Sequence, residues 1–86
     1  MPGPVRLLVV AAAEVDRLAV RRALEQSALT VVQLDEASAA DTGLVQAQTP
    51  CDCLIIDQDL AGVSGVELTR QLRAKQVMTP VVLLTA

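Results

Sequence analysis

The sequence predicts an α/β domain built on an open parallel sheet. Short runs of bulky apolar residues recur along the 86-residue chain, and segments of helical period separate them. No linker, repeat or low-complexity tract interrupts that alternation. One of the apolar runs also ends on a carboxylate, in LIIDQDLAGVSG, Leu54 to Gly65. Ligands of open parallel sheets sit beyond the carboxyl ends of the strands, where the winding reverses, so Asp57 is the first candidate functional residue.

VRLLVV, Val5 to Val10, is nearly continuous in apolar residues and suits a strand buried on both faces. From Glu14 to Ser27 the period changes. Ala19, Val20, Ala23, Leu24 and Ser27 fall on one side of a helix, with Glu14, Arg17, Arg21, Arg22 and Glu25 largely opposite. Asp16 is a misfit on the apolar side, and Leu18 on the polar side hints at a partner surface. TVVQL, Thr30 to Leu34, is a second strand. Ser38 to Gln48 is a weaker helix, softened by Thr42 and Gly43 and stopped before Pro50. CLIID, Cys53 to Asp57, is the third strand. Val66 to Ala74 is a third helix entered at Gly65, with Val66, Leu68 and Leu72 as its apolar contacts. PVVLLT, Pro80 to Thr85, is the fourth strand, with proline at the position a strand tolerates best. Consecutive buried strands joined through helices imply parallel pairing and right-handed crossovers.

Composition narrows the function classes. Hydrophobic residues make up 52% of the chain, enough for a packed core, and no aromatic residue occurs. A net charge of −3 without aromatic stacking platforms argues against direct nucleic-acid binding. Cys51 and Cys53, the only cysteines, cannot complete a tetrahedral zinc site in a chain without histidine, and read as small hydrophobes in a reducing compartment. No signal-peptide pattern and no run of membrane-spanning length is present, so a cytoplasmic domain is expected. GVSG, Gly62 to Gly65, lacks the lysine of a phosphate-cradling loop, which disfavours a nucleotide or flavin binder.

LIIDQDLAGVSGVELTRQLR followed by TPVVLLTA resembles the receiver domain of two-component response regulators. Those domains carry an apolar strand ending in Asp, a loop of the form D-x-x-L/M-P-G-x-x-G, a helix, and an apolar strand ending in Ser or Thr plus Ala. Val5 to Leu24 matches the first strand and helix of the family in length and register, so the resemblance spans essentially the whole chain. It implies a flavodoxin-like sheet of strand order 2-1-3-4 with flanking helices. By the same resemblance Asp57 is the aspartate that takes a phosphoryl group from a histidine kinase, as an aspartyl phosphate. Asp59 is the residue whose backbone carbonyl helps Asp57 hold Mg²⁺, Thr85 the hydroxyl that meets a phosphoryl oxygen, and Ala86 the small residue leaving it room. Gly62 and Gly65 are loop positions allowing unusual dihedrals, and Ala61 stands where proline is usual.

The chain departs from the family in two ways. The acidic pair that positions Mg²⁺ is replaced by Ala11 and Ala12, with Ala13 following. Mg²⁺ wants hard oxygen ligands, so weak binding at best is expected and no other cofactor. Electrostatic stabilisation is most of phosphoryl-transfer catalysis, so ordinary phosphotransfer is not expected, nor any other enzyme activity. The family's last strand, two helices and phosphoryl-pairing lysine also find no counterpart; Lys75, the only lysine, lies at the end of the third helix. Residues 1–86 therefore read as one incomplete receiver-like domain, about the first two-thirds of a full one. The expected function is a degenerate receiver acting as a protein-interaction or dimerisation module, with a working phosphoacceptor as the alternative. A histidine kinase or other signalling protein and a second copy of the chain are the expected partners. Pairing with a second copy would use the apolar edge at Pro80 to Thr85.

Overall fold

The computed structural model describes residues 5–28 and 30–85. Its elements are β1 (Val5–Val10), α1 (Glu14–Glu25), β2 (Val31–Ala37), α2 (Ala40–Gln46), β3 (Cys53–Asp57), β4 (Asp59–Leu60), β5 (Val63–Ser64), α3 (Gly65–Ala74) and β6 (Val81–Leu84). β2, β1, β3 and β6 form one parallel sheet in that order, which is the predicted 2-1-3-4 arrangement of the four long strands. The short β4 and β5 pair antiparallel and make a separate hairpin that the sequence reading missed.

Crossover direction decides which face each helix covers. β1 to β2 steps one way and β2 to β3 returns past β1, so right-handed connections put α1 on one face and α2 on the other. β3 to β6 continues in the second direction, which sets α3 beside α2, and the two helices touch. The main core lies on that side. Leu8 and Val10 of β1 and Leu54 and Ile56 of β3 pack there with Ala37, Ala47, Leu60, Leu68 and Leu72. Alternate residues point the other way. Val9, on the α1 side of the central strand β1, is also fully buried, as a continuous apolar run requires.

α2 reaches the sheet through Gly43. A methyl group there would stand 2.9 Å from both γ-carbons of Val10, so the glycine that weakens the helix locally is what lets it pack closely. α3 begins with Ser64 as its N-cap, its hydroxyl accepting from the Glu67 amide at 3.1 Å. It ends in a left-handed residue, Gln76 at φ 63°, with Gln76 N–H donating to Arg73 O at 2.9 Å and Val77 N–H to Leu72 O at 3.0 Å. Glycine adopts that conformation without a side-chain penalty, so Gln76→Gly is expected to raise stability by about 1 kcal/mol, read from a urea midpoint.

Several boundaries and faces differ from expectation. β2 runs on to Ala37 instead of stopping at Leu34, because Asp35, Glu36 and Ala37 pair with Leu8, Val9 and Val10. α1 stops at Glu25 instead of Ser27, α2 is trimmed at both ends, and β6 lacks Pro80 and Thr85. α1 is also rotated from the expected face. Leu18, Val20 and Leu24 are half-buried, whereas Ala19, Ala23 and Ser27 are exposed. Leucine buries far more apolar area than alanine, so Leu18 turns inward and is no partner hint. Val66 of α3 likewise faces outward, leaving Leu68 and Leu72 as the buried contacts.

α1 contacts β1 and β2. On its face of the sheet, Ile55 and Leu84 stay half-buried and Val82 is 50% exposed. Among the described residues nothing pairs with the outer edge of β6.

Candidate functional site

Asp57 is the last residue of β3, one step beyond Ile56, and Ala11 is one step beyond Val10. Ile56 and Val10 are paired, so Asp57 and Ala11 follow at neighbouring strand ends. The half-buried Asp57 carboxylate accepts from the Asp59 amide at 3.0 Å, which turns the chain out of the sheet. On the other side Asp57 pairs with Leu84, and the Gln58 amide donates to Leu84 O at 2.9 Å. This brings Thr85, exposed just past the end of β6, to the same strand ends as Asp57.

The loop beyond Asp57 is held tightly. β4 and β5 close over Ala61 and Gly62, and Gly62 takes a positive φ of 85°. Gly65 is needed for room instead of an unusual dihedral, contrary to the sequence reading. A methyl group there would lie 2.7 Å from the Asp57 carbonyl oxygen and 3.0 Å from Gln58 Cα. Gln58 also ties the loop to α3: its carbonyl accepts from Gly65 N–H at 3.0 Å and its side-chain oxygen from Val66 N–H at 3.0 Å.

An open groove of about 320 Å³ runs from this point between α1 and the sheet. Asp57 and Thr85 stand on its rim with Asp16, while Ala19, Val20, Ala23 and Leu84 line the rest. Asp16 lines the groove but was not among the residues selected from the sequence, although its misfit on the apolar helix face was the signal. Arg17 was missed without any such signal. Its Nη1 donates to the carbonyl oxygens of Ala11, at 2.6 Å, and Ala12, at 3.1 Å.

Few side-chain oxygens stand near Asp57 for a Mg²⁺ ion to use. Ala11, Ala12 and Ala13 supply no side-chain oxygen, and among the described residues no three acidic, histidine or cysteine groups gather to hold a metal. Asp57 and the Asp59 carbonyl alone leave most of an octahedral shell to water. Ala86, expected beside the phosphoryl group, lies outside the described residues. Cys51 precedes β3 and Cys53 opens it, and both are half-buried. Burial pushes both thiols up from their ordinary range, which keeps them neutral and poorly nucleophilic at neutral pH.

A doubly wound parallel sheet with an aspartate at the end of its third strand, Thr85 on the same groove and a loop packed over Gly65 is the flavodoxin-like fold. The family model of the response regulator receiver domain matches residues 7–86, and the chain belongs to that family. Solved structures agree in fold. The signal receiver domain of the response regulator NarL from Mycobacterium tuberculosis is 28% identical with a TM-score of 0.82, the match covering 99% of this chain and 68% of that one. The MaeR response regulator bound to beryllium trifluoride is 18% identical with a TM-score of 0.85, covering 95% of this chain and 67% of that one. Chemotaxis response regulator CheY4 of Vibrio cholerae is 20% identical with a TM-score of 0.78, covering 94% and 68%. The chain thus spans about two-thirds of the length of these structures. No curated protein sequence matches it. Among the described residues no helix is long and apolar enough to cross a membrane.

Proposed function

We propose that this receiver domain works as a protein-interaction module and does not take part in Mg²⁺-dependent phosphotransfer. The supporting observation is the wall facing Asp57, where Ala11, Ala12 and Ala13 offer no carboxylate. Transfer to Asp57 would form a bond from a carboxylate oxygen to phosphorus and break the bond to the leaving group. Negative charge spreads over the phosphoryl oxygens as this happens, and Ala11, Ala12 and Ala13 supply no carboxylate to hold a balancing metal ion. Incubating the chain with acetyl phosphate and Mg²⁺ and weighing it intact tests the reading. The unmodified mass is expected, and a phosphoryl adduct abolished in Asp57→Asn would overturn it. Restoring the ligands in Ala11→Glu/Ala12→Asp is expected to bring back measurable Mg²⁺ binding.

The second reading is a phosphoacceptor served by a histidine kinase. It is favoured by Asp57 and Thr85 lying on the same groove rim. On either reading the partners are signalling proteins in the cytoplasm, with no nucleic acid and no membrane. A second copy of the chain is a further partner. Val82 and Leu83 of β6 are exposed, and an exposed apolar strand of that kind favours association with another chain. Light scattering across a concentration series is expected to show a mass that rises with concentration. A monodisperse monomer at the highest concentration would remove self-association from the proposal.

A further inference from the structure

The turn from Ala11 to Ala13 forms the wall beside Asp57, and its side chains are all methyl groups. Nothing in them can be gripped by a bound ion, yet the wall is anchored. Arg17 reaches back from α1, and one of its nitrogens donates to both carbonyl oxygens that close β1, those of Ala11 and Ala12. Its Nε lies 3.4 Å from Glu36 Oε1, near the end of β2. Arg21 holds the other oxygen of Glu36. A single planar guanidinium therefore joins the ends of β1 and β2 to the first turns of α1. Its side chain is only 16% exposed, so these charge-assisted bonds are less weakened by solvent than a surface pair.

We propose that Arg17 is a positioning residue, an internal cation that holds the β1–α1 wall in one shape without a bound divalent ion. The inference rests on the reading of this domain as an interaction module, because a surface recognised without phosphorylation has to be shaped in advance. Two arginines share one carboxylate here, and the excess positive charge meets the negative ends of two backbone carbonyls. Lysine could supply the charge, but its point-like ammonium cannot fork across two carbonyls and Glu36 in the same fixed geometry.

Amide hydrogen exchange on the full chain tests the idea at three reporters: Ala11, bonded to Ala37 O, and Asp16 and Arg17, both bonded to Ala13 O. In the unaltered chain, millimolar Mg²⁺ is expected to leave their shifts and exchange rates unchanged. In Arg17→Gln their exchange is expected to quicken about tenfold, with the amides of Leu54 and Leu68 held within about twofold. Arg17→Lys should recover the urea midpoint more fully than it recovers reporter protection. If Arg17→Gln does not fold, Glu36→Gln takes its place; it keeps the carbonyl bonds and is expected to quicken the reporters by a smaller factor. Unchanged reporters, equal acceleration of every amide, or a Mg²⁺-dependent shift of the turn in the unaltered chain would each overturn the proposal. Acetyl-phosphate labelling of Asp57 is a separate readout: it would remove the interaction-module reading and leave the exchange result standing.

Discussion

Leu54→Ala is expected to lower the unfolding free energy by about 3–4 kcal/mol. Leu54 has no exposed surface and belongs to β3, which pairs with β1 on one side and β6 on the other. Its side chain lies in the cluster that also holds Leu68 and Leu72 of α3. Removing it loses the transfer free energy of three carbon atoms and leaves a hole that a hydrogen-bonded strand cannot close by moving. A domain of this size has roughly 4–13 kcal/mol of stability in all, so the variant is expected to be near its melting transition at physiological temperature. Urea unfolding followed by far-ultraviolet circular dichroism gives the number. A loss below about 1 kcal/mol would mean that the core repacks and that β3 is not its rigid centre.

Gly65→Ala is the second large effect, expected at about 2–3 kcal/mol. The added carbon would lie 2.7 Å from the Asp57 carbonyl oxygen and 3.0 Å from Gln58 Cα, both backbone atoms, and 3.0 Å from Leu83 Cδ2. The leucine can yield, but the backbone is held by the Gln58 bonds to Leu84, Gly65 and Val66. Alanine's better helix propensity, worth up to about 1 kcal/mol, offsets part of the strain. The change therefore separates two explanations of this glycine. A need for room makes Gly65→Ala destabilising and shifts the Asp57 and Asp59 amide resonances, whereas a mere loop preference would make it neutral. Gly62→Ala is the control, since its strain comes from positive φ alone and no atom lies within 4 Å of the added carbon.

Part of the candidate site is legible in the sequence. Asp57 could be picked out because an apolar run ending on a carboxylate is a local signal, and Thr85 because it ends the next such run. The missing carboxylates at Ala11 and Ala12 were equally plain, since an absent functional group needs no structure to establish it. Asp16 was visible only as an anomaly on a helical wheel. Arg17 was invisible, because its partners Ala11 and Ala12 are bonded through backbone oxygens and Glu36 lies on another strand. A side chain that binds backbone leaves no complementary residue for a sequence reader to find.

The order and type of the main elements were determined by the sequence alone, because hydrophobic period and the placing of Gly and Pro act within a few residues. The tertiary structure alone decided how those elements are seated. β2 extends through Asp35 and Glu36, both poor strand formers, because the ladder to β1 supplies their backbone partners. α1 turns Leu18 inward and leaves Ala19 and Ala23 to line the groove because the sheet rewards the larger buried area. Gly43, which reads as a defect in an isolated helix, becomes the contact that admits Val10. In each case a long-range contact outweighs a local preference of less than about 1 kcal/mol per residue, and such contacts exist only once the chain has closed on itself.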